Sequence, residues 1–328
     1  MALAGPLELQ LPASAVQPRR WRALRVLARK KIALVAIILI AFFYVCGLAA
    51  PLIAPYGPNE SPRVLSREAA NAGPTADHWF GTDALGRDIL TRVMFAARTT
   101  VIFTLVVLLT GGVFLGLGLG LLAGYRGGWV DTGVMRVGEV LSGIPTLTLM
   151  LALTAAFRPR LTDLAFDFSD ATGLSVSDAK AVIQFLILVG ASVPFAWVGS
   201  SRVVRAQALG LREQPFVEAA ECMGASTWRV LTRHILPGVM PLFFVSLSSA
   251  MAGIALAEVS LSFLGLGIDE PASSFGTLIQ NGAGPRIFEN APHLLLSSAI
   301  PVVLFFLAWN LLGDALVDIL EPRATRER

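Results

Sequence analysis

Apolar residues collect in six runs separated by polar segments: Ile32 to Ala54, Val101 to Tyr125, Val140 to Phe157, Ala181 to Gly199, Val239 to Leu266 and Leu294 to Leu312. A helix needs about 20 apolar residues to cross a hydrocarbon core. The third run is short and carries Pro145, and the fourth carries Gln184 and Pro194. Proline is tolerated in a spanning helix where neighbouring helices satisfy the freed backbone groups. The pattern predicts an all-α membrane protein with six transmembrane helices.

Composition agrees. Of 328 residues, 55% are hydrophobic and only 15% charged, with a mean hydropathy of +0.67. That is too apolar for a water-soluble α/β enzyme of this length. Arg19, Arg20, Arg22, Arg25, Arg29, Lys30 and Lys31 precede the first run, and such clusters stay in the cytoplasm. With six alternating crossings, 17 of the 26 Lys and Arg residues fall inside, and both termini are expected in the cytoplasm. The net charge of +3 then reflects topology, and no nucleic-acid partner is implied. The expected divisions are a basic cytoplasmic segment 1–31, a first transmembrane helix 32–54 and an extracytoplasmic loop 55–98. A five-helix core 99–319 follows, with a cytoplasmic loop 200–237 and a tail 320–328.

A secretory signal has an apolar region of only about 7–15 residues, so the longer first run reads as a retained anchor. Cys46 falls in a span and Cys222 in a polar loop, which leaves no disulfide framework. His78, His234 and His293 lack metal-ligand spacing, and no metal or cofactor is assigned. Gly116, Gly120 and Gly124 recur four apart. Without a preceding strand or a Gly-Lys-Ser/Thr they are not a phosphate loop, and they read as a surface for close helix packing in lipid. If transport through this chain is driven by ATP, the nucleotide site lies on another polypeptide.

The polar loop carries the densest local signals. Pro215 suits a first helical position, Glu218 and Glu221 favour the opening turns, and Gly224 can end the helix in a left-handed cap. Ser226 or Thr227 can cap a second helix, and Pro237 marks its junction with the fifth span. Phe216 and Met223 supply apolar anchors beside the small Ala219 and Ala220. The short helix fits a partner's groove, and a plain surface helix between spans has the same pattern.

Glu218-Ala219-Ala220, then Gly224, then His234-Ile235-Leu236-Pro237 resembles the EAA loop of permease subunits of bacterial ABC importers. Phe80 to Asp88, Gly124 to Asp131, Leu261 to Gly267 and Asn310 to Asp314 are similar to further strings of the dipeptide, oligopeptide and nickel branch, over roughly residues 78–323. The resemblance implies the type I importer permease fold in the bacterial inner membrane. It also implies a second related permease, two cytoplasmic ATPase subunits and an extracytoplasmic binding protein. Glu218, Ala219, Ala220, Gly224, Leu236 and Pro237 would then couple to the ATPases, with cysteines at Ala219 or Ala220 expected to reach them. The implied substrate is a peptide, with nickel or another small solute as the alternative.

A carboxylate inside a span is costly. Glu258, near the outer end of the fifth run, is either a contact for a substrate ammonium or a helix-to-helix hydrogen bond. Asn310, Asp314 and Asp318 form a polar stripe suited to packing or to pairing toward Arg323, or else to substrate contact. Asp83 and Arg87 are expected to pair on a short interfacial helix, weakly because exposed, at about 0.3–0.5 kcal/mol. An ion-coupled transporter would want ionisable groups near mid-membrane, and a membrane enzyme would want clustered reactive groups. Neither accounts for the polar loop.

Overall fold

Helix is the only open-ended chain form that satisfies its own backbone in lipid. In the computed structural model, which describes residues 30–61 and 69–320, helix dominates throughout. Among the described residues the one departure toward sheet is an isolated antiparallel bridge, Thr82 to Asp88. The basic positions Arg19 to Arg29 and the tail with Arg323 lie outside the described residues.

Five helices are long and apolar enough to span: α1 (Lys31–Leu48), α2 (Ile89–Arg126), α3 (Val176–Arg212), α4 (Thr227–Phe263) and α5 (Pro292–Ile319). The predicted third span, Val140 to Phe157, is not one helix. Gly128–Ser142 and Thr146–Thr172 meet at a bend of 82°, and the sixth crossing exists only if both arms are counted together. The break falls at Gly143, Ile144 and Pro145. Proline lacks an N–H and drives the residue before it out of the helical region. Pro194 is carried inside α3 without a break.

Several helices overrun the apolar runs that predicted them. α2 begins at Ile89 because the Asp88 carboxylate accepts from the Thr91 N–H at 2.7 Å and caps it. The 37 residues of α3 extend about 55 Å at 1.5 Å per residue, longer than a hydrocarbon core of about 30 Å, and Ser200 to Arg212 are part of the same helix. α4 starts at Thr227 and runs through Pro237, with a π-helical turn at Leu231–Ile235 just ahead of that proline. Lys30 pairs with Asp318 at 2.9 Å, tying the start of α1 to the end of α5. Asn310, first of the predicted polar stripe, donates to the Phe306 carbonyl of its own helix.

Three apolar clusters hold the bundle. One joins Phe43 of α1, Val101 of α2, Val259 of α4 and Phe305 of α5. A second gathers Val204, Ala208, Val217, Val230 and Ile235 where the polar loop leaves α3. A third packs Phe103, Met150, Leu188 and Leu261.

Candidate functional site

The polar loop folds as a short helix, α6 (Pro215–Cys222), between α3 and α4. Proline at its first position costs no hydrogen bond, and Glu218 in its first turn meets the positive end of the helix dipole. The helix ends at Gly224, whose φ is +80°. Ala225 N–H donates to the Ala220 carbonyl at 3.0 Å and Gly224 N–H to the Glu221 carbonyl at 2.8 Å. Those two bonds are a Schellman cap. Ser226 then caps α4 through the Arg229 N–H.

Burial divides α6 in two. Val217 packs with Val204, Ala208, Val230 and Ile235, and Ala220 is also buried, only 3% exposed. Phe216 is 47% exposed and Met223 82%, with Ala219 also exposed between them. Positions i, i+3 and i+7 share a helix face, so Phe216, Ala219 and Met223 form an outward apolar strip. Burial separates the two alanines: Ala220 is packed inward and Ala219 lies on the accessible face. Beyond the cap, Trp228 is exposed, Leu236 half-buried and Pro237 exposed.

Polar contacts brace this unit against α2. The Tyr125 hydroxyl donates to Glu221 at 2.7 Å, and the Arg212 guanidinium donates to the Tyr125 carbonyl at 3.1 Å. Arg205 of α3 makes a two-point ion pair with Asp131. Tyr125, Arg212, Glu213, Glu218 and Glu221 line an open depression beside α6. Three carboxylates against one guanidinium make it acidic.

Glu258 lies far from this loop and is 0% exposed. Its carboxylate accepts from Thr100 of α2 at 2.8 Å and from Ser262 at 3.2 Å, and Ser262 in turn accepts from the Ile268 N–H. That chain clamps α2, α4 and the turn after α4. Within this chain the carboxylate is committed to those two hydroxyls, the arrangement of a helix-to-helix hydrogen bond. Glu258→Gln keeps an acceptor oxygen for one hydroxyl and offers its amide N–H to the other, and is expected to retain uptake and stability. Glu258→Ala leaves two buried hydroxyls short of a partner, costing about 1–3 kcal/mol. Melting of the detergent-purified variants checks the second statement, and uptake by Glu258→Gln the first; uptake lost in a well-folded Gln variant would restore a role for the charge.

The family described as "Binding-protein-dependent transport system inner membrane component" matches residues 116–326. The chain belongs to this family. Residues 19–74 match a second description, "N-terminal TM domain of oligopeptide transport permease C", so likeness extends into the N-terminal region that the motif strings left uncovered. The dipeptide transport system permease protein DppC of Bacillus subtilis is 32% identical over 306 residues, 93% of this chain and 85% of that protein. The glutathione transport system permease protein GsiD of Pectobacterium atrosepticum is 32% identical over 307 residues, 92% of this chain and 91% of that one. GsiD of Escherichia coli is 33% identical over 303 residues. The permease is thus a multi-pass inner-membrane protein and a transport subunit.

The remaining strings of the permease acquire structural reasons. Asp131, closing the Gly124 to Asp131 string, is the partner of Arg205, a pairing without any signal in the linear sequence. Gly267 has no room for a side chain, since a Cβ would lie 2.3 Å from Ser262 Oγ. Asp83 and Arg87 sit in a turn closed by the Thr82 to Asp88 bridge, not on a helix, and both are buried. Asp83 takes Arg87 and Arg92 at 2.7 Å each, and both arginines also reach Glu270, after α4, at 3.0 and 3.1 Å. Asn281 adds a bond to Glu270 at 3.1 Å. The expected weak surface pair is therefore part of a largely buried network joining the start of α2 to the loop after α4. Burial pushes the Asp83 pKa up, but the Arg87 N–H and the two guanidinium groups outweigh it and hold the carboxyl below its ordinary range. Burial likewise opposes ionisation of Glu270, and Arg87 and Arg92 again win. Among the described residues no cluster of three or more His, Cys, Asp or Glu stands together as a metal site.

Proposed function

We propose that this chain is one permease half of an ATP-driven, binding-protein-dependent peptide importer, working with a second related permease, two ATPase subunits and an extracytoplasmic binding protein. The observation that carries the reading is α6: a helix fastened on its Val217 and Ala220 side, presenting Phe216, Ala219 and Met223 outward beside an acidic depression. An apolar strip of that size suits a groove on a partner. The acidic depression suits basic residues at the groove's edge. Peptides are the proposed cargo because relatives covering most of the chain carry dipeptide and glutathione transport names.

With the bent pair counted as one crossing, the basic residues before α1 support an orientation with α6 and both termini in the cytoplasm. Binding protein delivers peptide to the opposite face. ATP-driven closure of the ATPases displaces α6, and α3 and α4, into which it is fastened, tilt and switch access.

Crosslinking tests the docking. With Cys222 replaced by serine, Ala219→Cys is expected to crosslink to an ATPase subunit in membranes holding the complete importer, whereas Ala220→Cys gives less than a tenth of that yield. Absence of any product from Ala219→Cys would remove the docking role. Uptake of labelled dipeptide against ⁶³Ni²⁺ in a strain lacking the chain, with and without its return, decides between peptide and nickel as cargo.

A further inference from the structure

Four glycines of α2 meet four residues of α3 one for one. A Cβ at Gly111, Gly116, Gly120 or Gly124 would lie 2.6, 2.7, 2.7 and 2.6 Å from the Cβ of Ala196, Ser200, Val204 and Ala208 respectively. The same glycines sit on backbone as well: a Cβ at Gly120 would be 2.8 Å from the Ser201 carbonyl oxygen, and one at Gly124 2.8 Å from that of Arg205. The two main chains are therefore in close apposition, with no side chain of α2 at these positions to act as a slip layer.

The spacing is uneven in an informative way. The touched residues of α3 are four apart throughout, whereas the first glycine interval of α2 is five and the next two are four. An extra residue in an α-helix rotates everything beyond it by about 100°, which would turn one end of the glycine face away from α3. α2 is π-helical over Leu108–Leu117, the stretch containing that longer interval. A π turn closes its bonds one residue later than an α turn. It absorbs the additional residue and keeps all four glycines on α3.

Polar bonds continue the contact toward α6. Arg212 of α3 holds the Tyr125 carbonyl of α2, Arg205 pairs with Asp131 just beyond α2, and Tyr125 reaches Glu221 of α6. Ala208 is shared by the glycine contact and by the apolar cluster that seats Val217.

We propose that the glycine-bearing half of α2 and the facing half of α3 are one rigid strut, which carries displacement of α6 into the membrane without sliding, and that the π turn sets its register. This rests on the reading of α6 as the ATPase-docking helix. Gly111, Gly116, Gly120 and Gly124 are then positioning residues for coupling.

A lock across the strut tests it. A Cβ at Gly112 lies 3.7 Å from Ser200 Oγ, so cysteines at these two positions face each other across the strut. The complete importer carrying Gly112→Cys and Ser200→Cys is reconstituted in proteoliposomes, oxidised, and assayed for labelled dipeptide taken up per ATP hydrolysed. The wild-type complex passes through the same oxidation as reference. A rigid strut predicts that oxidised and reduced forms agree within twofold. A larger loss on oxidation, reversed by dithiothreitol, would show that the helices must move past one another and would overturn the proposal. ATP-independent uptake by the wild-type reference would instead remove the coupling reading beneath it.

A volume swap decides independently of that variant's assembly. Gly111→Ala is expected to lower uptake per ATP at least fivefold, because its methyl group meets that of Ala196. Adding Ala196→Gly should return the ratio to within twofold. An unchanged ratio in Gly111→Ala, or no recovery in the pair, counts against the strut.

Discussion

Gly224→Val is expected to leave the permease in the membrane while lowering peptide uptake per ATP hydrolysed by at least tenfold. Space is not the reason, since a Cβ at Gly224 would meet nothing within 4 Å. Backbone conformation is. Gly224 holds a φ of +80°, and an L-residue in the left-handed region costs about 1–2 kcal/mol, more for a β-branched side chain. Roughly 5–30-fold in population rides on that energy. Losing the cap frees Ala225 from the Ala220 carbonyl, so α6 is no longer held at a fixed angle to α4. Strain alone predicts the order Gly, Asn, Ala, Val for falling coupling, because Asn tolerates the left-handed region best after glycine. Reconstituted transport and ATPase rates measured together check that order. Equal coupling across the series would show that α6 does not need this geometry.

Arg92→Met should be the most destabilising single change on the opposite side of the bundle. Arg92 is fully buried and serves both Asp83 and Glu270. Removing one partner of a buried charge network costs about 3–5 kcal/mol, since it strands the others. Thermal unfolding in detergent should fall by on the order of 5–10 °C. The pH dependence carries a sign. Asp83 and Glu270 have folded-state pKa values lowered below their ordinary ones. Their contribution is present above the unfolded carboxylate range and is lost as pH falls through the lowered folded values. With Arg92 gone only Arg87 holds those values down, so the acid limb of the stability curve should move to higher pH. A melting profile identical to wild type from pH 7 to pH 3 would show that the network contributes nothing.

Legibility followed sequence separation. Apolar run length alone disclosed the membrane class and most of the spans, because the lipid requirement acts on every residue of a run independently. The loop with Pro215, Glu218, Gly224 and Pro237 was readable for the same kind of reason: helix starts and stops are set by residues within a turn or two of one another. Pro145 and Pro194 show where that reasoning ends. Both are prolines in apolar runs, yet one breaks a helix and the other rides inside one, a difference the apolar pattern does not show.

The amino-acid order by itself determined the apolar spans, the capped helix between two of them and the family strings, all consequences of local periodicity and backbone preference. Tertiary structure alone decided that Asp83 and Arg87 belong to a buried network with Glu270, that Glu258 clamps two helices, and that Ala219 is presented while Ala220 is packed. It also decided that a π turn keeps four glycines in register with α3. Each of these depends on which surfaces meet across separations of tens to nearly two hundred residues, and no interval along the chain encodes that meeting until the helices have packed.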